Sequence, residues 1–195
     1  MRFDADGSAG GFNSANFKLS TGGDNVILTA ATGLTTIDSY SFGAQQPGVS
    51  QGRFPDGTGA IVSFPVSASP NDNNWLAAPV RINEALTNSV LPLEDSVEIY
   101  NPTASPVDIG GWWLSDDHFS RKKYQFAPGT SVPAFGYLSV AESQFNLGVN
   151  AFSLSSIGDE IVLSAATGGG VETGYRSQFG FGAAADNVSF GYVAT

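Results

Sequence analysis

Short apolar runs, rather than long amphipathic stripes, organise this chain. Gly, Pro, Asn, Asp and Ser interrupt the apolar residues roughly every 8 to 12 positions, which is the spacing of strands in an antiparallel sandwich or barrel. No window of about 12 residues shows the i, i+3, i+4, i+7 apolar spacing of a helix. The pattern therefore predicts an all-β fold. The predicted strands are residues 25–30, 35–41, 60–64, 80–85, 96–100, 112–115, 124–126, 137–141, 160–165 and 188–192.

Alternation along these strands predicts which side chains point inward. Val97 and Ile99 share one face of their strand, because successive side chains of a strand point to opposite sides. Trp112 and Trp113 are adjacent, so their side chains must point to opposite faces of the strand. We therefore expect one tryptophan in the core and the other at the surface or in an interface.

One segment of 18 residues occurs twice. Residues 16–33 (NFKLSTGGDNVILTAATG) match residues 151–168 (AFSLSSIGDEIVLSAATG) without a gap, at an offset of 135 and with ten identities. Residues 49–52 match residues 188–191 at an offset of 139. We predict that residues 1–66 are the C-terminal half of one repeat, residues 67–78 a linker, and residues 79–195 a nearly complete second copy.

A half copy of a sandwich leaves apolar surface and strand edges without covering partners. It cannot cover its own apolar face or pair the edges of its strands. We expect it to pack on the complete copy, to pair with another chain, or to be poorly ordered. Self-association through the half copy is one prediction.

Composition excludes several classes of function. The 195 residues contain 18 acidic and 8 basic side chains, for a net charge of −10, which argues against binding a nucleic-acid backbone. The absence of Cys excludes disulfides and thiol nucleophiles, and the single His excludes a multi-His metal site. No apolar run of about 18 residues predicts a membrane span. The first residues do not form a signal peptide, so we expect a protein that is not exported or a piece of a larger one.

A set of short motifs in residues 79–195 occurs in a characteristic order. They are 80–84 (VRINE), 97–102 (VEIYNP), 107–116 (VDIGGWWLSD), 136–138 (GYL), 152–155 (FSLS) and 158–163 (GDEIVL). Residues 48–57 (GVSQGRFPDG) supply a further motif in the first copy. In this order the motifs resemble the lamin tail domain family.

The resemblance implies an immunoglobulin-like β-sandwich of antiparallel strands without catalytic residues or cofactors. The family includes the tails of nuclear intermediate filaments, which bind proteins and DNA, and modules of large exported bacterial proteins. Tandem copies and missing coiled-coil heptads make this chain similar to the bacterial members, and its acidity disfavours DNA. We therefore expect a non-catalytic interaction or tethering module of an exported or cell-surface protein. It would lie outside the cell or in its envelope, with unidentified protein partners.

Only a few residues suggest chemistry. Asp116, Asp117 and His118, with Ser115 or Ser120, resemble the parts of a hydrolytic triad, but neighbours in one loop cannot supply that geometry, and we predict a polar turn. Glu84 and Glu98 could approach each other as a carboxylate pair, although the resemblance gives both a structural role. Strict alternation would place Glu84 on the inward face, so we expect either a β-bulge or a buried, hydrogen-bonded carboxylate.

The alternative function is a carbohydrate- or calcium-binding accessory module of a secreted enzyme. A sugar platform would use aromatic side chains, namely Trp75, Tyr100, Trp112, Trp113 and Tyr137.

A calcium loop is suggested by Asp4, Asp6 and Gly7, but Arg2 and Asn13 occupy positions that an EF-hand reserves for acidic ligands. Residues 121–123 (RKK) form the one basic cluster of the sequence and are predicted to lie in a solvated hairpin.

Overall fold

A computed structural model describes residues 15–192 of the chain. The chain divides into two compact units, an N-terminal unit of residues 1–74 and a C-terminal unit of residues 75–195. Within the described residues, no helix is long and apolar enough to cross a membrane.

The described part of the N-terminal unit, residues 15–74, contains two antiparallel hairpins. Strand β1 (Asp24–Thr29) pairs with β2 (Thr36–Phe42), and β3 (Ser50–Phe54) pairs with β4 (Ala60–Phe64). The strands predicted at residues 25–30, 35–41 and 60–64 are confirmed to within one residue at each end. Strand β3 was not predicted, because its sequence of Ser, Gln, Gly, Arg and Phe lacks apolar alternation.

The C-terminal unit contains eleven further strands and one short helix among the described residues. The strands are β5 (Leu76–Ala77), β6 (Arg81–Leu86), β7 (Ser96–Tyr100), β8 (Val107–Asp108), β9 (Trp113–Ser115), β10 (Tyr124–Gln125), β11 (Ser131–Val132), β12 (Tyr137–Ala141), β13 (Gly158–Ala166), β14 (Glu172–Gly182) and β15 (Ser189–Gly191). Helix α1 (Glu142–Phe145) follows β12.

Two sheets form the layers of the C-terminal unit. The first has the strand order β10-β9-β13-β14-β5, the second has the order β12-β7-β6-β15, and β8 and β11 form a separate pair. All pairs are antiparallel except β5 with β14, which is parallel. The predicted all-β, immunoglobulin-like sandwich is confirmed. Leu76 and Ala77, which the sequence places in the linker, form β5 of the first sheet.

The core of the C-terminal unit lies between these sheets. Strands β6, β7, β9, β12 and β13 all contribute side chains with almost no exposed surface. Among the most deeply buried are Val80, Ile82, Ala85, Val97, Ile99, Ile109, Leu114, Val132, Ile161 and Leu163. Trp112 belongs to this core, whereas Trp113 is half-buried and donates its indole N–H to the Gly170 carbonyl at 2.9 Å. The predicted divergence of the two tryptophans is confirmed.

A β-bulge resolves the conflict at Glu84. The register of β6 against β7 shifts between Ile82 and Glu84. The shift returns Ala85 to the core and leaves Glu84 half-buried rather than inside. Of the two arrangements that the sequence allowed, the structure therefore has the bulge.

Asn101 joins the β7–β8 loop to the end of β11 and has no exposed surface. Its amide N–H groups donate to the carbonyls of Ser105 at 2.8 Å, Val132 at 3.1 Å and Pro133 at 3.0 Å. Its side-chain oxygen accepts from the backbone N–H of Thr103 at 2.9 Å and from the Thr103 hydroxyl at 2.7 Å. Asn101 therefore satisfies its own buried amide and fixes the loops around it.

Candidate functional site

The β1–β2 and β13–β14 hairpins have the same pattern of local hydrogen bonds, each within its own hairpin. Asp24 accepts from the backbone N–H of Ser20 at 3.3 Å, and Asp159 accepts from that of Ser155 at 3.2 Å. Each aspartate also accepts from the next residue, at 2.8 Å and 2.9 Å respectively. The preceding residues, Gly23 and Gly158, both have left-handed backbones, with φ of 118° and 124°. Equivalent sequence has produced equivalent local structure.

The strand registers of the two hairpins also correspond. Asp24 lies opposite Phe42, and Asp159 lies opposite Phe181. Equivalent positions are thus 135 residues apart in the first strand of each hairpin and 139 apart in the second. Beyond the hairpins, the backbone N–H of Gln45 donates to the Thr21 carbonyl at 2.8 Å. The backbone N–H of the equivalent Ala184 donates to the Ser156 carbonyl at 2.9 Å.

The inner faces of the two hairpins differ in what covers them. Leu154, Ile161 and Leu163 are core residues with exposed fractions of 6%, 0% and 0%. Their equivalents Leu19, Val26 and Leu28 expose 43%, 40% and 58%. The N-terminal unit therefore presents to solvent an apolar surface whose counterpart in the C-terminal unit is the core of a sandwich.

A cleft of about 370 Å³ lies on this exposed face. Its apolar lining comes from Leu19, Val26, Tyr40 and Phe42. Gln51 lies at the rim and accepts a hydrogen bond from the Tyr40 hydroxyl at 2.8 Å. We call the cleft and the flanking Leu28 the open face.

One edge of β1 has no neighbouring strand within residues 15–192. In the C-terminal unit the corresponding edge of β13 pairs with β9, with Leu163 opposite Leu114. Among the described strands, β1 belongs to a two-stranded sheet and pairs with β2. Within the described residues, no strand pairs with the edge of residues 27–29, the positions equivalent to those where β13 pairs with β9.

His118 lies in the loop between β9 and β10 and contacts β13. Its Nδ1 contacts Glu160 Oε1, and its backbone N–H donates to the same oxygen at 2.9 Å. The other Glu160 oxygen accepts from the Gln178 side chain at 2.6 Å. Of the two candidate serines, Ser115 is fully buried, and its hydroxyl donates to the backbone carbonyl of Ser120 at 2.8 Å. The other candidate, Ser120, is exposed. This geometry holds a loop on a sheet and does not assemble a Ser-His-carboxylate triad.

Asp117, His118 and Glu160 also bring three potential metal ligands within 4.8 Å of one another. An imidazole nitrogen with carboxylates suits a transition metal better than calcium, which prefers oxygen ligands. Asp117 Oδ1 accepts from the backbone N–H of Phe119 at 2.8 Å, and both Glu160 oxygens already accept hydrogen bonds. These hydrogen bonds hold the Asp117 and Glu160 carboxylates in place beside the imidazole.

The paired glutamates lie on adjacent strands at the surface. Glu84 of β6 is opposite Glu98 of β7 in the register. The Asn83 amide donates to Glu98 Oε1 at 2.8 Å. Both glutamates are half-buried and sit beside the bulge.

The aromatic residues considered for sugar binding do not form one platform. Trp75 and Trp112 are buried, and Trp113 lies on the first sheet. Tyr100 and Tyr137 stack on the second sheet with ring centroids 4.8 Å apart. The structure brings together only this tyrosine pair.

Two of the three side chains in the basic cluster form ion pairs. Arg121 contacts Glu172 at 2.7 Å and is mostly buried, and Lys123 pairs with Asp116. Lys122 is exposed. The cluster lies in the connection between the paired strands β9 and β10, as predicted. The ion pairs neutralise the charges of Arg121 and Lys123. Asp4, Asp6 and Gly7 lie outside the described residues.

Comparison with known proteins defines the family. A model of the lamin tail domain family matches residues 76–176, which is more than half of the chain. The chain therefore belongs to the lamin tail domain family, whose immunoglobulin-like domain is generally a non-catalytic interaction module. Neither a curated protein nor a solved structure matches it.

The sequence predicted a surface problem in the N-terminal repeat but did not locate the open face. The cleft requires Tyr40 and Phe42 to lie beside Val26, and this depends on the register of β1 against β2. The internal repeat carried the necessary signal, because its second copy shows which positions of the hairpin become core.

Proposed function

We propose that this chain is a non-catalytic interaction module that tethers or spaces parts of a larger protein through protein–protein contacts. The observation that carries the proposal is the open face, where Val26 and Leu28 are exposed although their equivalents are core residues. Exposed contiguous apolar surface of this kind marks interaction sites in soluble proteins. Membership of a generally non-catalytic family supports the same function.

The setting that we propose is an exported or cell-surface protein of a bacterium. Support comes from the sequence features shared with bacterial members of the family, namely the internal repeat and the absence of coiled-coil heptads. The net charge of −10 favours protein partners over nucleic acid. Fractionation of the producing cells tests this setting: the chain should reside in the envelope or the medium, and a cytoplasmic location would contradict it.

An affinity experiment tests the function. The immobilised full chain is exposed to envelope and secreted proteins of the producing organism, and retained proteins are purified for titration against the chain. The variant Val26→Asp/Leu28→Asp places charges on the open face. The control is Ile157→Asp, because Ile157 is 83% exposed and lies in the turn before β13.

We expect a partner that binds the wild type and the control with equal affinity and binds the double variant at least about tenfold more weakly, since two buried charges weaken an apolar interface. If a partner binds all three proteins with equal affinity, the open face is not its binding site, and the proposal is contradicted. Substrate turnover that disappears in His118→Ala would contradict the non-catalytic proposal.

A further inference from the structure

Two groups of strands cover the β13–β14 hairpin in the C-terminal unit. Strand β6 packs across the inner face, where the Ile82 N–H donates to the Ser177 hydroxyl oxygen at 3.0 Å. Strand β9 pairs along the edge of β13, with Leu114 opposite Leu163. Strand β7 pairs with β6 and contributes Ile99 to the same core. We call β6, β7 and β9 the covering strands.

The β1–β2 hairpin retains the features that these strands contact. Leu28 occupies the position of Leu163, which lies opposite Leu114 of β9, and Val26 occupies the position of Ile161 on the same inner face. Asp38 occupies the position of Ser177 and offers a carboxylate acceptor where Ser177 accepts the Ile82 N–H. The Asp38 side chain is 60% exposed and pairs with Arg53 at 3.1 Å.

From this correspondence we infer that the open face binds a polypeptide carrying the covering strands of a lamin tail domain. That partner would offer one strand with inward apolar side chains at the Ile82 and Ala85 positions. It would also offer an edge strand with the Trp-Leu-Ser pattern of β9. The inference rests on the proposed function of the open face and specifies its occupant.

A second copy of this chain fits the open face less well. Each copy carries a net charge of −10, and chains of like charge repel. The covering strands of a second copy are already occupied by its own β13 and β14. A polypeptide whose covering strands are unoccupied lacks the second of these disadvantages.

Fusion of the covering strands to the full chain tests the inference. Residues 75–135 of this sequence are added before Met1, since the offset of 135 makes Met1 equivalent to the residue that follows them. The control fusion carries Ile99→Asp and Leu114→Asp in the added segment alone. Hydrogen exchange measures protection of the β1 amides, and sedimentation equilibrium measures the mass of the unfused chain.

We expect the fusion to slow exchange of the β1 amides by at least about tenfold relative to both the unfused chain and the control, because added strands and burial suppress local opening. The unfused chain should be monomeric. Equal β1 exchange in the fusion and its control would overturn the inference. A dimeric unfused chain with protected β1 amides would also overturn it and would assign the open face to a second copy.

The two proposals can fail separately. If the fusion leaves β1 unprotected while a captured protein still requires Val26 and Leu28, the open face binds a partner of different structure. If the fusion protects β1 and no captured protein depends on those residues, the inferred fit stands and the proposed tethering function fails.

Discussion

Val26 and Ile161 occupy equivalent positions in two matching hairpins, yet Val26 exposes 40% of its surface and Ile161 exposes none. The local hydrogen bonds of the hairpins agree to within about 0.1 Å at the aspartates that begin them. The difference therefore lies in the neighbouring strands rather than in the hairpins themselves. One chain thus contains the same structural element in a covered and an uncovered state.

Substitution of two equivalent leucines should have unequal effects on stability. Leu163→Ala should lower the free energy of unfolding of the C-terminal unit by about 2–5 kcal/mol, because it leaves a cavity in a closed core. Leu28→Ala should change stability by no more than about 0.5 kcal/mol, because Leu28 is already solvated. Urea denaturation of the full chain measures both variants. Equal losses would show that the open face is covered in solution.

Asn101 should be essential to the stability of the C-terminal unit. Asn101→Ala should cost about 3 kcal/mol, because it leaves buried carbonyls and a backbone N–H without partners. Asn146→Ala is a matched control, since Asn146 is exposed and its amide donates to Glu142 at 3.0 Å. The control should cost less than about 0.5 kcal/mol. A small effect of Asn101→Ala in chemical denaturation would argue against the role of this residue in joining the loops.

The His118 loop should depend on Glu160 for its position. Glu160→Ala should destabilise the C-terminal unit by about 1–2 kcal/mol, since it removes the acceptor of the His118 backbone N–H. Glu160→Gln retains a carbonyl acceptor and should lose less. Thermal unfolding of the three proteins gives the comparison.

Metal addition separates the structural role of this loop from the alternative function. If the fold binds zinc or calcium, an ion concentration about 100 times the Kd of that binding would stabilise the fold by about 2.7 kcal/mol. We expect no change in Tm with either ion. A rise with zinc that Glu160→Gln abolishes would indicate a metal site at Asp117, His118 and Glu160, and a rise with calcium would favour the accessory-module alternative.

Glu94 gives a pH-dependent contact at the start of α1. Hydrogen bonds from the Ser143 hydroxyl and then from its backbone N–H, at 3.0 Å, lower the pKa of Glu94 from its ordinary value of 4.5. A lowered pKa means that this contact stabilises the fold above pH 4.5 and is lost as the pH falls through the lowered value. Ser143→Ala should move the pKa of Glu94 upward in a carboxyl NMR titration. An unchanged pKa would show that the hydroxyl makes no contribution.

The sequence predicted strands well where apolar alternation was strong. Strands β4, β7 and β12 have the predicted bounds. The longest strand, β14, escaped prediction because Gly174, Gly180 and Gly182 divide its apolar residues. Its pairing with β13 overrides the weak local preference, and such tertiary effects cannot be seen in a single window of sequence.

The contacts of the candidate site could not be predicted from neighbouring residues in the sequence. The sequence brought Asp116, Asp117 and His118 together because they are neighbours, whereas the contact that positions His118 comes from Glu160 on a strand 42 residues away. The open face was similarly hidden, because exposure at Val26 depends on which strands are near it. Local pattern predicts which side of a strand is apolar, and the surrounding fold decides whether that side is covered.

Native-state hydrogen exchange of the unaltered full chain tests the central claim most directly. The amides of β13 should exchange at least about 100-fold more slowly than those of β1. Strand β13 is paired on both edges and covered, whereas β1, as far as residues 15–192 show, is paired on one edge and exposed. Both strands are measured in one sample of one chain, so each controls for the other. Equal protection of β1 and β13 would contradict an open face on the N-terminal unit.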